Sequence, residues 1–184
     1  MKSRIRSLIA CLSLWVTFSS AVWQVKAASI IQVPADKPTI QDAIAAAANG
    51  DTVQVAPGTY VENLNFLGKA ILVTSEQGPE VTIIDGNGVG PVVTFATSEG
   101  RQSVLNGFTV RNGKNSTSGV GGGIRTTNSS PTITGNIITN NSASTAGGGI
   151  GIQSGAPLVQ GNVITNNGQI TGFSGGVGDR KSVV

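Results

Sequence analysis

Short runs of alternating apolar and polar residues dominate the chain from Asp51 onward, and Gly or Asn stands at nearly every break between them. Alternation with a period of two is typical of half-buried β-strands. Gly and Asn tolerate the left-handed backbone that a one- or two-residue turn requires. The pattern therefore predicts short strands joined by tight corners, at Thr52–Val55, Ile71–Thr74, Val81–Ile84 and Val92–Phe95, followed by a series of repeats.

A helix is predicted before these strands, after a short lead segment. Thr39 is placed to act as its N-cap, and Asp42 brings a carboxylate to the first turn, where it favours the positive end of the helix dipole. Asn49 and Gly50 form a natural stop. Its apolar stripe consists of Ile40, Ala43, Ile44 and Ala47. Because a stack of coils exposes apolar side chains at its open end, we expect this helix to cover the first coil.

Two segments in the second half of the chain repeat each other at a spacing of 26 residues. Pro131–Asn141 reappears as Pro157–Asn167, and Gly121–Ile124 returns as Gly147–Ile150. A period of this length, with β-branched runs between Gly and Asn corners, predicts a solenoid in which each repeat is one coil. The three strands of one coil are predicted at Gly123–Thr126, Thr132–Thr134 and Ile137–Thr139.

Alternation also assigns side chains to the inside or the outside of the coil. Ile124 and Ile150 are predicted to point inward, so that Arg125 and Gly151 point outward. Stacked asparagines at the corners are expected to hydrogen-bond along their columns and to satisfy the backbone at each bend. The predicted columns are Ile133 with Val159, Val110 with Ile138 and Ile164, Asn136 with Asn162, and Asn112 with Asn140 and Asn166.

Three segments near the start, Thr39–Ile44, Gly50–Val55 and Pro57–Glu62, resemble the opening of parallel β-helix proteins of the pectin-lyase-like group. The later Gly-Asn-Ile-Ile-Thr-Asn-Asn and Gly-Gly-Gly-Ile units resemble repeats of secreted bacterial β-helix proteins and of polymorphic outer-membrane adhesins. The resemblance implies an all-β fold, a right-handed parallel β-helix with three strands per coil and a short N-terminal capping α-helix. That fold carries lyases, hydrolases, esterases, epimerases and adhesins, so it does not select a function.

Residues 1–27 have the features of a signal peptide. Lys2, Arg4 and Arg6 precede an apolar stretch, and small residues at the end of the segment predict cleavage after Ala27. Leu8–Cys11 resembles a lipobox, which leaves a lipoprotein as the alternative. We expect a secreted or cell-surface protein without a transmembrane segment once the leader is removed. The mature chain then has no Cys, and eight Lys/Arg against nine Asp/Glu give a net charge of −1, which does not favour nucleic acid as a partner.

Residues 179–184 do not continue the repeat pattern. The start of a common short-read sequencing adapter, GAT CGG AAG AGC GTC GTG, would encode the same six residues as Asp179–Val184. The hypothesis is that this tail is non-native and that residues 28–178 are a β-helix domain truncated at its C-terminus. A genuine charged tail is the alternative, and the DNA sequence at the junction distinguishes the two.

The acidic residues offer no catalytic set in the sequence. Polysaccharide lyases of this group use acidic clusters for calcium, and glycosidases need paired carboxylates. The repeats from Asn112 to Gly178 contain no acid, and the chain has no His. Asp85 lies in an Asp-Gly-Asn-Gly segment that offers cation ligands, although an Asp-Gly turn explains it more simply. Glu62 is interpreted as structural, and neither a metal nor a cofactor is expected.

Loops that follow the third strand of successive coils are predicted to line one side of the solenoid, at Gly113–Val120, Ser142–Ala146 and Gly168–Ser174. We expect any binding groove to lie beside the strands that carry Arg125 and Gln153, which are the candidate substrate-binding residues. The leading hypothesis is a secreted, non-catalytic β-helix module that contacts extracellular or cell-surface polysaccharide. The alternatives are a polysaccharide lyase or glycoside hydrolase whose active site lies in missing coils, and an adhesin or structural surface protein.

Overall fold

The alternating runs form the strands of a parallel β-solenoid of about five turns, which includes one short helix. The computed structural model describes residues 27–116, 119–169 and 182–183. Apart from Ala27 and Ser182–Val183, the predicted leader and the predicted tail therefore lie outside the described residues. Within the described residues, no helix is long and apolar enough to cross a membrane.

The strands stack into four sheets. Sheet A has six parallel strands: β1 (Ile30–Val33), β2 (Thr52–Val55), β5 (Leu72–Ser75), β8 (Val104–Asn106), β12 (Thr132–Thr134) and β16 (Leu158–Gln160). Sheet B has β3 (Gly58–Val61), β6 (Thr82–Asp85), β9 (Thr109–Arg111), β13 (Ile137–Thr139) and β17 (Val163–Thr165), and β19 (Ser182–Val183) pairs with β17 in the antiparallel direction. Sheet C has β4 (Leu64–Asn65), β7 (Val93–Phe95), β11 (Ile124–Thr127) and β15 (Ile150–Gln153). Sheet D has three two-residue strands: β10 (Lys114–Asn115), β14 (Ser142–Ala143) and β18 (Gly168–Gln169).

The register of the repeats agrees with the sequence prediction. Ile124 pairs with Ile150, Ile133 with Val159, and Ile138 with both Val110 and Ile164. The predicted strands Thr52–Val55, Thr132–Thr134 and Ile137–Thr139 are confirmed to the residue, and four others begin one residue later than predicted. The later coils add a short fourth strand, in sheet D, between those of sheets B and C.

The helix α1 (Ile40–Ala46) begins as predicted. The side chain of Thr39 accepts a 3.0 Å hydrogen bond from the backbone N–H of Asp42, and the apolar stripe is buried. The helix packs against β1, β2 and β4. The short lead segment before it contains a strand that the sequence analysis did not predict, since Ile30–Val33 pairs along its whole length with β2. The helix therefore lies between the first two strands of sheet A rather than ahead of the solenoid.

The core is a column of aliphatic side chains with three aromatic rings inside it. Phe66, Phe95 and Phe108 are fully buried, and the ring centroids of Phe66 and Phe95 lie 4.2 Å apart. Such continuous apolar stacking between coils is the main source of stability in a solenoid.

One asparagine column is confirmed and the other is displaced by one residue. Asn136 donates from Nδ2 to Oδ1 of Asn162 at 3.0 Å, as predicted. At the next corner the buried pair is Asn141 and Asn167, joined by an equivalent 3.0 Å bond, and not the predicted column of Asn112, Asn140 and Asn166. The predicted residues occupy the left-handed region with φ of 57°, 55° and 54°, which turns their amides to the surface.

Candidate functional site

A polar cleft with a volume of about 280 Å³ opens at the corner between sheets B and D. Exposed amides from three successive coils contribute to its wall, together with an ammonium group and a hydroxyl. The lining residues are Asn87, Gly88, Asn112, Gly113, Lys114, Asn140 and Ser142. Pockets for whole small molecules usually measure about 300–1,000 Å³, so this cleft suits one unit of a longer ligand.

The corner geometry of the solenoid places the three amides in the cleft. Asn87, Asn112 and Asn140 have φ of 50°, 57° and 55°, a conformation that asparagine tolerates better than most residues. Backbone hydrogen bonds tie these corners together, from Gly88 N–H to the Asn112 carbonyl at 2.7 Å and from Asn112 N–H to the Asn140 carbonyl at 3.2 Å. The spacing of the amides is therefore fixed by the backbone.

An ion pair on sheet B adjoins the cleft. Asp85 accepts at Oδ2 from Arg111 Nε at 2.9 Å and from Asn112 Nδ2 at 2.8 Å, and at Oδ1 from the Asn87 N–H at 3.0 Å. Burial raises the pKa of Asp85, but these hydrogen bonds and the positive charge of Arg111 outweigh it and lower the pKa below its usual value. Asp85 thus holds two of the cleft asparagines in place, and both of its carboxylate oxygens already accept hydrogen bonds.

Lys114 supplies a positive charge to the cleft wall. Its backbone N–H donates to the Gly90 carbonyl at 2.8 Å, while its side chain is exposed. Lys114 pairs with Ser142 on the neighbouring strand of sheet D, and both residues line the cleft. Since the acid nearest to the cleft is already paired with Arg111, this wall favours ligands that are neutral or negatively charged.

The two sequence-predicted binding residues lie on the outer face of sheet C. Arg125 pairs with Gly151, and Gln153 pairs with Thr127 on the adjacent strand. Arg125 Nε donates to Thr127 Oγ1 at 3.3 Å. The structure brings Arg125 and Gln153 to one face, but neither lines the cleft. Their role in binding stays a prediction.

The outer face of sheet C is less open than the alternation predicts. Gly151 is buried, because Val120 and Gly121 pass directly over it and leave no room for a Cβ atom. The parallel bridge between Val120 and Ala146 continues this cover from coil to coil. The loop residues Gly113 and Ser142, which were predicted to border a groove near Arg125, border the cleft at the other corner instead.

Sequence reasoning missed Asn87, Lys114 and Ser142 as site residues. The available signal was the recurrence of Asn-Gly or Asn-Asn after the strands of sheet B, at 87–88, 112–113 and 140–141. The sequence prediction placed Asn112 and Asn140 in a structural amide column at a corner and assigned the Asp85–Gly88 segment to an Asp-Gly turn. Two adjacent corner residues alternate between outside and inside, and the sequence does not say which of them is buried.

Most described carboxylates have structural partners. Asp51 accepts the backbone N–H groups of Ser29 and Ala48, both at 2.8 Å, and is buried. Glu99 is also buried and accepts from the Gly68 and Thr97 N–H groups and from the Ser129 hydroxyl. Glu62 lies at the N-terminus of α1, as its structural interpretation predicts. The described residues contain no group of three or more His, Cys, Asp or Glu that could hold a metal ion.

Fold and cleft together describe an all-β parallel solenoid with a polar site at a corner of the described coils. Comparison with known proteins adds no relative to this description. No protein-family model, curated protein or solved structure matches the chain.

Proposed function

We propose that the protein is a secreted β-helix module of the pectin-lyase-like type, which binds extracellular or cell-surface polysaccharide without cleaving it. The observation that carries the proposal is the cleft, in which amides of three successive coils flank Lys114 and Ser142. An amide donates and accepts hydrogen bonds, as a sugar hydroxyl does. A row of amides at coil spacing therefore suits a polymer with repeating hydroxyl groups.

Charge refines the class of polysaccharide. Lys114 presents an ammonium group to the cleft, and Arg111 is held beside it by Asp85. An ammonium group pairs with carboxylate or sulfate, so an acidic polysaccharide is the preferred ligand of this site. Arg125 points outward on sheet C, and its guanidinium group also favours an acidic polysaccharide on that face.

The proposal that the protein does not cleave its ligand rests on the contacts that its carboxylate groups already make. Glycosidic cleavage needs one carboxyl group paired with a second carboxylate across the bond. Asp51, Glu62 and Glu99 are occupied by backbone N–H groups, and Asp85 is paired with Arg111. The lyase and hydrolase alternatives require acids elsewhere in the chain or beyond it. The adhesin alternative shares the binding surface and differs in anchoring.

The binding proposal is tested with two cleft variants and a matched control. Lys114→Met removes the charge, and Asn140→Gly removes an amide while keeping a residue that accepts a φ of 55°. Lys37→Met removes the same charge far from the cleft along the chain. Affinity for polygalacturonate and alginate is measured by calorimetry. We expect at least tenfold weaker binding for Lys114→Met, weaker binding for Asn140→Gly and no change for Lys37→Met.

Equal affinity of all three variants for these polymers contradicts the cleft as the binding site. Appearance of new reducing ends or unsaturated products during incubation contradicts the non-catalytic part. Secretion is tested separately by N-terminal sequencing of the protein recovered outside the cell, which should begin at Ala28.

A further inference from the structure

We infer that the outer face of sheet A is a second binding surface, and that it takes a neutral polysaccharide chain lying along the solenoid axis. The inference rests on the proposed polysaccharide-binding function but concerns a different face and a different class of polymer. Sheet A has six parallel strands, more than any other sheet of the described residues, because the sixth strand of sheet B is antiparallel, and it extends from the first coil to β16.

Two columns of side chains cover this face. The register of the six strands sets them, and every member is partly or fully exposed while the residues between them point inward. The first column is a mixture of aliphatic residues and threonines: Ile30, Thr52, Leu72, Val104, Thr132 and Leu158. The second column is entirely polar: Gln32, Gln54, Thr74, Asn106, Thr134 and Gln160.

No residue of either column carries a charge. The other described sheets differ in this respect, since the outward positions of sheet B include Asp85 and Arg111, those of sheet C include Arg125, and those of sheet D include Lys114. An anionic polymer on sheet A meets no counter-charge and still loses hydration, which disfavours its binding. The charge pattern therefore selects a neutral ligand.

The polar column has free hydrogen-bonding capacity. Within the described residues, no hydrogen bond engages the side chains of Gln32, Gln54, Thr134 or Gln160. Asn106 donates from Nδ2 to Thr74 Oγ1 at 3.0 Å, which orients two neighbouring members of the column. Amides and hydroxyls both donate and accept, so the column complements the hydroxyl groups of a sugar chain. The aliphatic members of the other column offer contacts to the C–H faces of the rings.

The surface is rigid and long enough for several sugar units. With a spacing of about 4.8 Å between neighbouring strands, six strands extend over about 24 Å. Parallel pairing fixes each strand of the sheet, so binding requires little ordering of the protein. A small cavity of about 110 Å³, lined in part by Gln32, Gln54 and Glu76, lies at the edge of the face and offers a recess for a side group of the chain.

A second copy of the protein is the main competing occupant. Packing two sheets face to face requires apolar side chains that interlock on both. Here such packing places a whole column of amides and hydroxyls in a dry interface without assured partners, which is costly. A polysaccharide satisfies these groups directly and leaves water between the others.

The test uses the full chain and insoluble neutral polysaccharides, namely cellulose, chitin, mannan and a β-1,3-glucan. Thr134→Lys places a charge in the polar column, between Asn106 and Gln160, and Thr134→Val removes only the hydroxyl. Thr59→Lys is the matched control on the outer face of sheet B. We expect wild type and Thr59→Lys to sediment with at least one polymer, a loss of at least tenfold for Thr134→Lys, and a smaller loss for Thr134→Val. Unchanged thermal unfolding verifies that the variants are folded.

Several outcomes overturn the inference. The inference is wrong if the wild-type protein sediments with none of the four polymers. It is also wrong if Thr134→Lys and Thr59→Lys bind equally well. A dimer that Thr134→Lys converts to a monomer assigns the face to self-association instead. Lys114→Met should leave neutral-polymer binding unchanged, and Thr134→Lys should leave alginate binding unchanged. Failure of this inference is thereby distinguished from failure of the cleft as an acidic-polysaccharide site.

Discussion

Glu62 accepts a hydrogen bond of 2.9 Å from the backbone N–H of Gln41 and a second, of 3.0 Å, from that of Ile40. These N–H groups belong to the first turn of the capping helix, which has no internal partners for them. Lys69 binds the C-terminal end of the helix, because its ammonium group donates hydrogen bonds to the carbonyls of Ile44, Ala45 and Ala47. Residues of the second coil thus hold both ends of the helix with charges that complement its dipole.

Glu62→Gln should destabilise the protein by about 1.5 kcal/mol, because a neutral amide oxygen replaces a charged acceptor for two N–H groups. Urea unfolding measured by circular dichroism checks the value. Glu80→Gln, on an exposed residue, is the control and should change stability by less than about 0.5 kcal/mol. Equal effects of the two substitutions contradict a capping role.

Asn136→Ala should cost about 3 kcal/mol in the free energy of unfolding. The side chain accepts from the Phe108 N–H and donates to the Leu105 and Thr134 carbonyls, so its loss leaves buried groups without partners. Asn166→Gly should change stability by about 0.5 kcal/mol or less, because Asn166 is exposed and glycine accepts its φ of 54°. The opposite order of these two effects, measured in urea, contradicts the assignment of the buried column.

Arg111→Met should raise the pKa of Asp85, since the pairing with Arg111 helps to hold it below its usual value. An aspartate with a lowered folded-state pKa stabilises the protein at pH values above about 3.9, and this contribution is lost as the pH falls through the folded pKa. The variant should therefore be less stable than wild type at pH 7. The difference should disappear at strongly acidic pH, where Asp85 is protonated in both proteins.

Carboxyl NMR titration measures that pKa directly, and unfolding at several pH values measures the stability. Arg101→Met changes the net charge equally and serves as the control. A stability difference between wild type and Arg111→Met that is independent of pH contradicts the proposed pairing energetics.

Thr82→Val should stabilise the protein by about 1 kcal/mol. The hydroxyl of Thr82 is buried and has no hydrogen-bond partner among the described residues, so a methyl group removes a desolvation cost. Thr109→Val is the matched comparison and should destabilise, because the Thr109 hydroxyl donates to the Pro79 carbonyl at 2.7 Å. Differential scanning calorimetry gives both shifts, and a lower melting temperature for Thr82→Val contradicts the prediction.

Much of the solenoid was predictable because its cause is local and repeated. A 26-residue recurrence of Ile124 at Ile150 sets the strand register directly, and Thr39 with Asp42 marks the helix start. The first strand, Ile30–Val33, escaped prediction because it has no repeat partner in the sequence. Its partner is Thr52–Val55, on the other side of the intervening helix in the chain.

The site was less predictable because it depends on choices between adjacent residues. Asn140 and Asn141 have the same chemistry, yet one lines the cleft and the other is buried, since the left-handed corner residue turns outward. Gly151 was expected at the surface, and the Val120–Gly121 segment of the preceding coil covers it. Contacts of this kind come from neighbouring coils and leave no mark in the local pattern.

The in-register pairing of successive coils also allows the solenoid to be lengthened or shortened by whole coils. Arg125 pairs with Gly151 and Thr134 with Gln160, so each 26-residue unit adds one step to every surface column. Duplication or removal of a whole unit shifts all the columns together and leaves the neighbouring corners matched. Insertions confined to the corner loops also leave the columns intact, since the step from Leu72 to Val104 and the step from Val104 to Thr132 differ in length while all three residues remain in register. The length of these surface columns can therefore change in whole steps during evolution or in engineering.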